Sequence, residues 1–209
     1  MIASCPQLEL LVRQGSLVAG DERVLVNASN TNGQLGSGVS AAIRGACGPG
    51  FQQTITQALE ATFHGPMEPG EVLITDAGSH PRAQWVAHVA VMDYREGFTS
   101  KSFPSLELVR GACTRLWSRL EALDDDALSV AMVALGAGTG GLGVQDSTRV
   151  AAETLVAHAS TTTGSKLRRV TFYGYALHEF LAMAGVLVAF DPAITEHLDA
   201  EARAFIGRG

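Results

Sequence analysis

Twice in this chain a short apolar run breaks into a glycine-rich bend that opens a helix, and this repeat restricts the fold more than any other feature. The first copy leads from Val24-Leu25-Val26 through Asn27-Ala28-Ser29-Asn30 to Gly36-Ser37-Gly38-Val39, and a helix rich in alanine is predicted from about Gly38 to Ala46. The second follows Val130–Leu135 with Gly136-Ala137-Gly138-Thr139-Gly140-Gly141-Leu142-Gly143 before another helical stretch. The first amides of a helix have no intrahelical acceptor and carry partial positive charge, so each junction suits an anion or a polyol. Two junctions on separate strand ends predict one ligand clamped from both sides.

The remaining pattern alternates in the same way. Strands are predicted over Leu8–Val12, Glu71–Asp76, Trp85–Met92, Leu128–Leu135 and Arg169–Gly174. Helices are predicted over Phe51–Phe63, between Gly-Pro pairs, over Pro104–Leu120 with Pro104 in the first turn, and to about Ser160 with Asp146 or Ser147 as the cap. A further helix starts near Ala176, and the tail from Asp191 to Gly209 reads as one extra helix. Residues 1–190 are therefore taken as one domain and 191–209 as a C-terminal extension. Alternating strands and helices predict a layered α/β domain with a largely parallel sheet, in which ligands bind outside the carboxyl ends of the strands.

Composition narrows the classes of function. The formal net charge is −6 and no Lys/Arg cluster lies near either glycine bend, which argues against broad nucleic-acid binding. An anionic ligand would have to be met by main-chain dipoles. Cys5, Cys47 and Cys113 are odd in number and widely spaced, and they read as reduced thiols. The start of the chain lacks a signal peptide pattern, and the longest apolar run, Leu181–Phe190, is too short for a bilayer. A soluble, cytoplasmic protein with no membrane contact is expected. His64, His80, His88, His158, His178 and His197 show no metal-ligand spacing, so neither a metal nor a cofactor is expected.

Several residues admit two readings. Asn27 and Asn30 fit turn positions as well as a binding role, with Asn27 the better candidate for a brace. Gly136-x-Gly138-x-x-Gly141 fits the dinucleotide fingerprint of NAD-dependent oxidoreductases, but residues 159–165 lack the acid that this fingerprint requires and only one strand follows. His88 reads as a hydrogen-bonded core histidine, and Trp85 and Trp117 as packing residues. Asp124-Asp125-Asp126 reads as a solvated turn. Asp93, at a strand end, is the carboxylate to test as a surrogate base.

Taken in order, the motifs resemble the macro domain family, an ADP-ribose-binding fold, over roughly residues 8 to 190. The family's Gly-Asp-Ile-Thr element corresponds to Gly15-Ser16-Leu17-Val18, its Asn-Ala-Ala-Asn signature to Asn27-Ala28-Ser29-Asn30, its helix opening to Gly36-Ser37-Gly38-Val39, and its later diphosphate loop to Gly136–Leu142. The resemblance implies a three-layer α/β/α fold with a mostly parallel, mixed central sheet. It implies that ADP-ribose, free or attached to a macromolecule, is the partner. Gly36, Ser37, Gly38 and Val39, together with Gly136, Ala137, Gly138, Thr139, Gly140, Gly141 and Leu142, would hold the diphosphate and proximal ribose. Asn30 would reach the proximal ribose, with Asn27 also among the ligand-binding positions, Ser16 and Leu17 would lie at the adenine, and Tyr175 would line the adenosine half. The chain departs from the family at three points. Ser16 replaces the acid that grips the adenine amino group, and the aspartates of the two hydrolytic types correspond to Ser40 and Gly140. A binder without fast hydrolysis is the main expectation. The alternative is an ADP-ribosyl hydrolase acting on modified proteins or nucleic acid, with Asn30 as the catalytic residue that orients water.

Overall fold

The computed structural model describes residues 8–207, so Cys5 lies outside the described residues. Six strands, β1 (Glu9–Gln14), β2 (Val24–Asn30), β3 (Val72–Asp76), β4 (Trp85–Met92), β5 (Leu128–Met132) and β6 (Leu167–Gly174), form one sheet in the order β1-β6-β5-β2-β4-β3. All neighbouring pairs are parallel except β3 with β4. Side chains of successive strand residues point to opposite faces. Accordingly Val24 and Val26 enter one apolar cluster while Leu25 enters the other, and Val130 and Ala131 divide in the same way.

The larger cluster is filled by α3 (Leu106–Leu120), α4 (Val144–Thr161) and α5 (Leu177–Leu187), and the smaller by α1 (Gly38–Cys47) and α2 (Phe51–Phe63). This gives the three-layer α/β/α arrangement with a mixed, mostly parallel sheet. Trp117 of α3 is fully buried, and its Nε1 donates to Thr154 Oγ1 of α4 at 3.0 Å, tying two helices of one layer together. Trp85 instead sits half-buried under the Arg23 guanidinium, 5.9 Å from its ring centre. Cys47 and Cys113 are free and buried; burial pushes their thiols up to about 11 and about 12.

Local details differ from the sequence expectations for identifiable reasons. β2 continues to Asn30, because it pairs with β4 along its whole length and its polar side chains find partners there. β5 stops at Met132 and β6 begins at Leu167. Pro104 precedes α3, whose cap is Ser105: Ser105 Oγ accepts the Leu108 N–H at 3.1 Å. Neither Asp146 nor Ser147 caps α4. Gly143 takes that position in extended conformation, and Ser147 Oγ is drawn inside to donate to Leu135 O at 2.7 Å. The tail is a 3-10 turn (Pro192–His197) followed by α6 (Ala200–Ile206), their caps supplied by Asp191 and Asp199. Ile194, Leu198 and Ala202 from this tail are buried in the larger cluster. Among the described residues, no helix is long and apolar enough to cross a membrane.

Candidate functional site

Five parallel strands, β1, β6, β5, β2 and β4, end on the same edge of the sheet, and a cleft of about 670 Å³ lies across those ends. Both glycine bends open into it. Gly36, Ser37, Gly38 and Val39 line one wall, and Gly136, Ala137, Gly138, Thr139 and Gly140 line another. Ser16, Leu17, Asn30 and Tyr175 also reach the cleft, whereas Gly141 and Leu142 do not line it and Asn27 is buried beneath it.

The first bend depends on the two asparagines. Asn30 Oδ1 accepts the N–H groups of Asn32 and Gln34, each at 3.1 Å, and its Nδ2 donates to Gln34 O at 2.9 Å. Its amide thus shapes the turn that follows β2. Asn27 is fully buried beneath the floor. Its Oδ1 accepts the Ser40 hydroxyl at 2.8 Å, and its Nδ2 lies 3.3 Å from His88 Nδ1. An amide nitrogen only donates, so in this orientation His88 Nδ1 accepts and the ring proton sits on Nε2, 3.2 Å from Thr75 Oγ1. Burial drives the His88 pKa down to about 3, which keeps the ring neutral. Ser40–Asn27–His88–Thr75 is therefore a brace that fixes the start of α1 against β2, β3 and β4. Asn27 belongs to that brace and not to the cleft wall.

Above the brace, Ser37 caps α1 through its backbone alone, with no side-chain bond to the first turn. Among the described residues, the amides of Gly36, Ser37 and Gly38 have no main-chain acceptor. The second bend is closed by Gly141 N–H to Gly138 O at 3.0 Å and Leu142 N–H to Gly136 O at 3.1 Å. Gly136 and Gly141 make this possible by adopting φ of 77° and 72°, a region costly for other residues. The amides of Gly138, Thr139 and Gly140, between those two glycines, likewise have no main-chain acceptor. Six such N–H groups from two loops line a cleft to which, among the described residues, no Lys, Arg or His contributes. They suit a ligand with two adjacent anionic groups.

General-base candidates are scarce. Ser40 spends its hydroxyl on Asn27. A Cβ at Gly140 would collide with Gly136 O and lie 2.9 Å from Pro104 Cγ, so the loop as folded cannot accept an aspartate there. Asp93 does not line the cleft. It is ion-paired with Arg95 at 2.7 Å, and hydrogen bonding from Arg95 holds its carboxyl below the usual range, which removes it as a surrogate base.

At the β1/β6 end, Gly15 N–H donates to Gly174 O at 2.9 Å, which fastens Ser16 beside the cleft. Tyr173 presents a ring there while its hydroxyl donates to Glu22 Oε2 at 3.0 Å; burial pushes the phenol up to about 12. Sequence reasoning missed Gln34, Tyr94, Tyr173, Glu179 and Met183 as lining residues. Glu179 had a usable signal, since it sits three residues after Ala176 at the start of α5 and accepts its N–H at 3.0 Å. The strand order also differs from the doubly wound order of dinucleotide-binding enzymes, so the Gly136 bend is not a dinucleotide fingerprint.

A family model described as Macro domain matches residues 26–151. An uncharacterized protein of Mycobacterium tuberculosis is 32% identical over 165 residues, covering 79% of this chain and 41% of that protein. The chain thus spans about two fifths of the mycobacterial relatives it matches. An uncharacterized protein of Aeropyrum pernix is 32% identical over 143 residues, 68% of each chain. Among solved structures, the Oceanobacillus iheyensis macrodomain with ADP superposes with a TM-score of 0.69 at 18% identity, over 88% of this chain and 92% of that one. The Trypanosoma brucei macrodomain in complex with ADP-ribose gives 0.66 at 22% identity, over 84% and 67%.

Proposed function

The chain belongs to the macro domain family, and we propose that its cleft binds ADP-ribose, free or carried by a macromolecule. The observation that carries this reading is the set of six unpaired amides, from Gly36–Gly38 and Gly138–Gly140, in one cleft. The diphosphate sits between the two bends, where N–H donors on anionic oxygens contribute about 1.5–3 kcal/mol each before ordering costs. Asn30 orders the first bend and lies beside the proximal ribose. Tyr175, at the far end, faces the adenosine half. Solved relatives hold ADP and ADP-ribose in their own structures, which agrees with this choice of ligand.

The protein is a binder and not a fast hydrolase. Both positions that would bear a carboxylate are otherwise committed, Ser40 by its bond to Asn27 and Gly140 by lack of room. Titration calorimetry with ADP-ribose, ADP and AMP tests the reading. ADP-ribose and ADP bind well and AMP poorly if both bends grip a diphosphate; equal affinity for AMP and ADP-ribose overturns it. Single-turnover incubation with ADP-ribosylated protein or DNA gives no release above background at saturating enzyme, and measurable release would restore the hydrolase.

A further inference from the structure

Among the described residues that line the cleft, only Glu179 carries a formal charge, and its sign is wrong for a site that holds an anion. Glu179 lies in the first turn of α5. Its Oε2 closes that turn by accepting the Ala176 N–H, and Oε1 has no hydrogen-bond partner among the described residues. The residue stands with Ser16, Tyr173, Tyr175 and Met183 at the β1/β6 end. The free amides follow β2 and β5. In the sheet order, β6 is one strand from β5 and two from β2, so the carboxylate and the amides stand at different strand ends of one cleft. The cleft lining is mostly apolar. Tyr173 has no hydroxyl to offer because Glu22 takes it, and Ser16 brings only a neutral hydroxyl. A lone carboxylate oxygen in such a place selects a group that donates a hydrogen.

Resting on the reading that the cleft takes ADP-ribose, we propose that Glu179 sets its base preference: Oε1 accepts a hydrogen bond from the exocyclic amino group of adenine. A base with a carbonyl oxygen at that position meets lone pairs with lone pairs and is rejected. The residue acts on specificity and takes no part in bond making.

The test is calorimetry with ADP-ribose and its hypoxanthine analogue, IDP-ribose, on the wild-type protein and Glu179→Gln. The glutamine keeps an oxygen for the Ala176 N–H, so the turn persists, and it places an amino group where Oε1 was. Wild type prefers ADP-ribose by roughly ten- to hundredfold, the span of one charge-assisted hydrogen bond. Glu179→Gln loses or inverts that preference with an unchanged melting temperature. Equal wild-type affinity for the two ligands, or the same preference in the variant, overturns the role of Glu179 and leaves the ADP-ribose reading intact. If wild type binds neither ligand, the reading beneath it falls as well.

Discussion

Mild acid should weaken this fold through His88, and the size of the effect follows from where that ring sits. The ring is fully buried, accepts from Asn27 at Nδ1 and faces Thr75 with Nε2. A proton on Nδ1 would point at the Asn27 amide, itself a donor. Burial holds the folded pKa at about 3, against an ordinary value of 6.5. Because the folded value is the lower one, protonation favours the unfolded chain. The contribution is therefore complete above about pH 6.5 and is lost as the pH falls toward 3. Between pH 7 and pH 5 the unfolded histidine holds, on average over the window, about 0.7 of a proton that the folded one refuses. At about 1.4 kcal/mol per proton and pH unit over this window, the loss is about 2 kcal/mol. That is a large share of a typical stability of ~5–15 kcal/mol. Urea unfolding at the two pH values, followed by the fluorescence of buried Trp117, measures it. His88→Gln keeps an acceptor and a donor in place without the titration, so its stability should fall by about 2 kcal/mol less than wild type over the same interval. Equal losses in the two proteins would refute the argument.

Two glycines of the second bend should respond in opposite ways. A Cβ on Gly138 meets nothing within 4 Å, so Gly138→Glu should fold with wild-type stability while its carboxylate occupies the anion seat; ADP-ribose binding lost at an unchanged melting temperature is the expected calorimetric result. At Gly140 the added atom strikes the Gly136 carbonyl, which also accepts from Leu142. Gly140→Ala should cost about 1–3 kcal/mol in urea unfolding and weaken ligand binding, and a loss near zero would show that the bend has more slack than its contacts allow. Thr154→Val leaves the buried Trp117 N–H without its acceptor, so a destabilisation of about 1–3 kcal/mol is expected in the same urea titration.

The sequence revealed elements whose causes are local. α2 runs over Phe51–Phe63 as anticipated, since Gly50 and His64 at its ends both take positive φ and no continuation is possible. The convergence of the two bends was also legible, because a parallel sheet sends every βα junction to one edge. The missed features depend on partners distant in sequence. Asn27 was legible as a brace, but its partner was not: His88, 61 positions away, holds it in the core. The cap of α4 went to Gly143 because Leu135 claimed the Ser147 hydroxyl. The tail read as one extra helix, and only its packing reveals that Ile194, Leu198 and Ala202 join the larger core.

An anion seat assembled from peptide groups cannot be erased by exchanging one side chain for another of similar size. Substitutions that preserve the two backbone curves leave every donor where it was. If the cleft holds a diphosphate as proposed, drift can rewrite the rim while that recognition persists, and new base or adduct preferences are reached by changing a handful of wall residues.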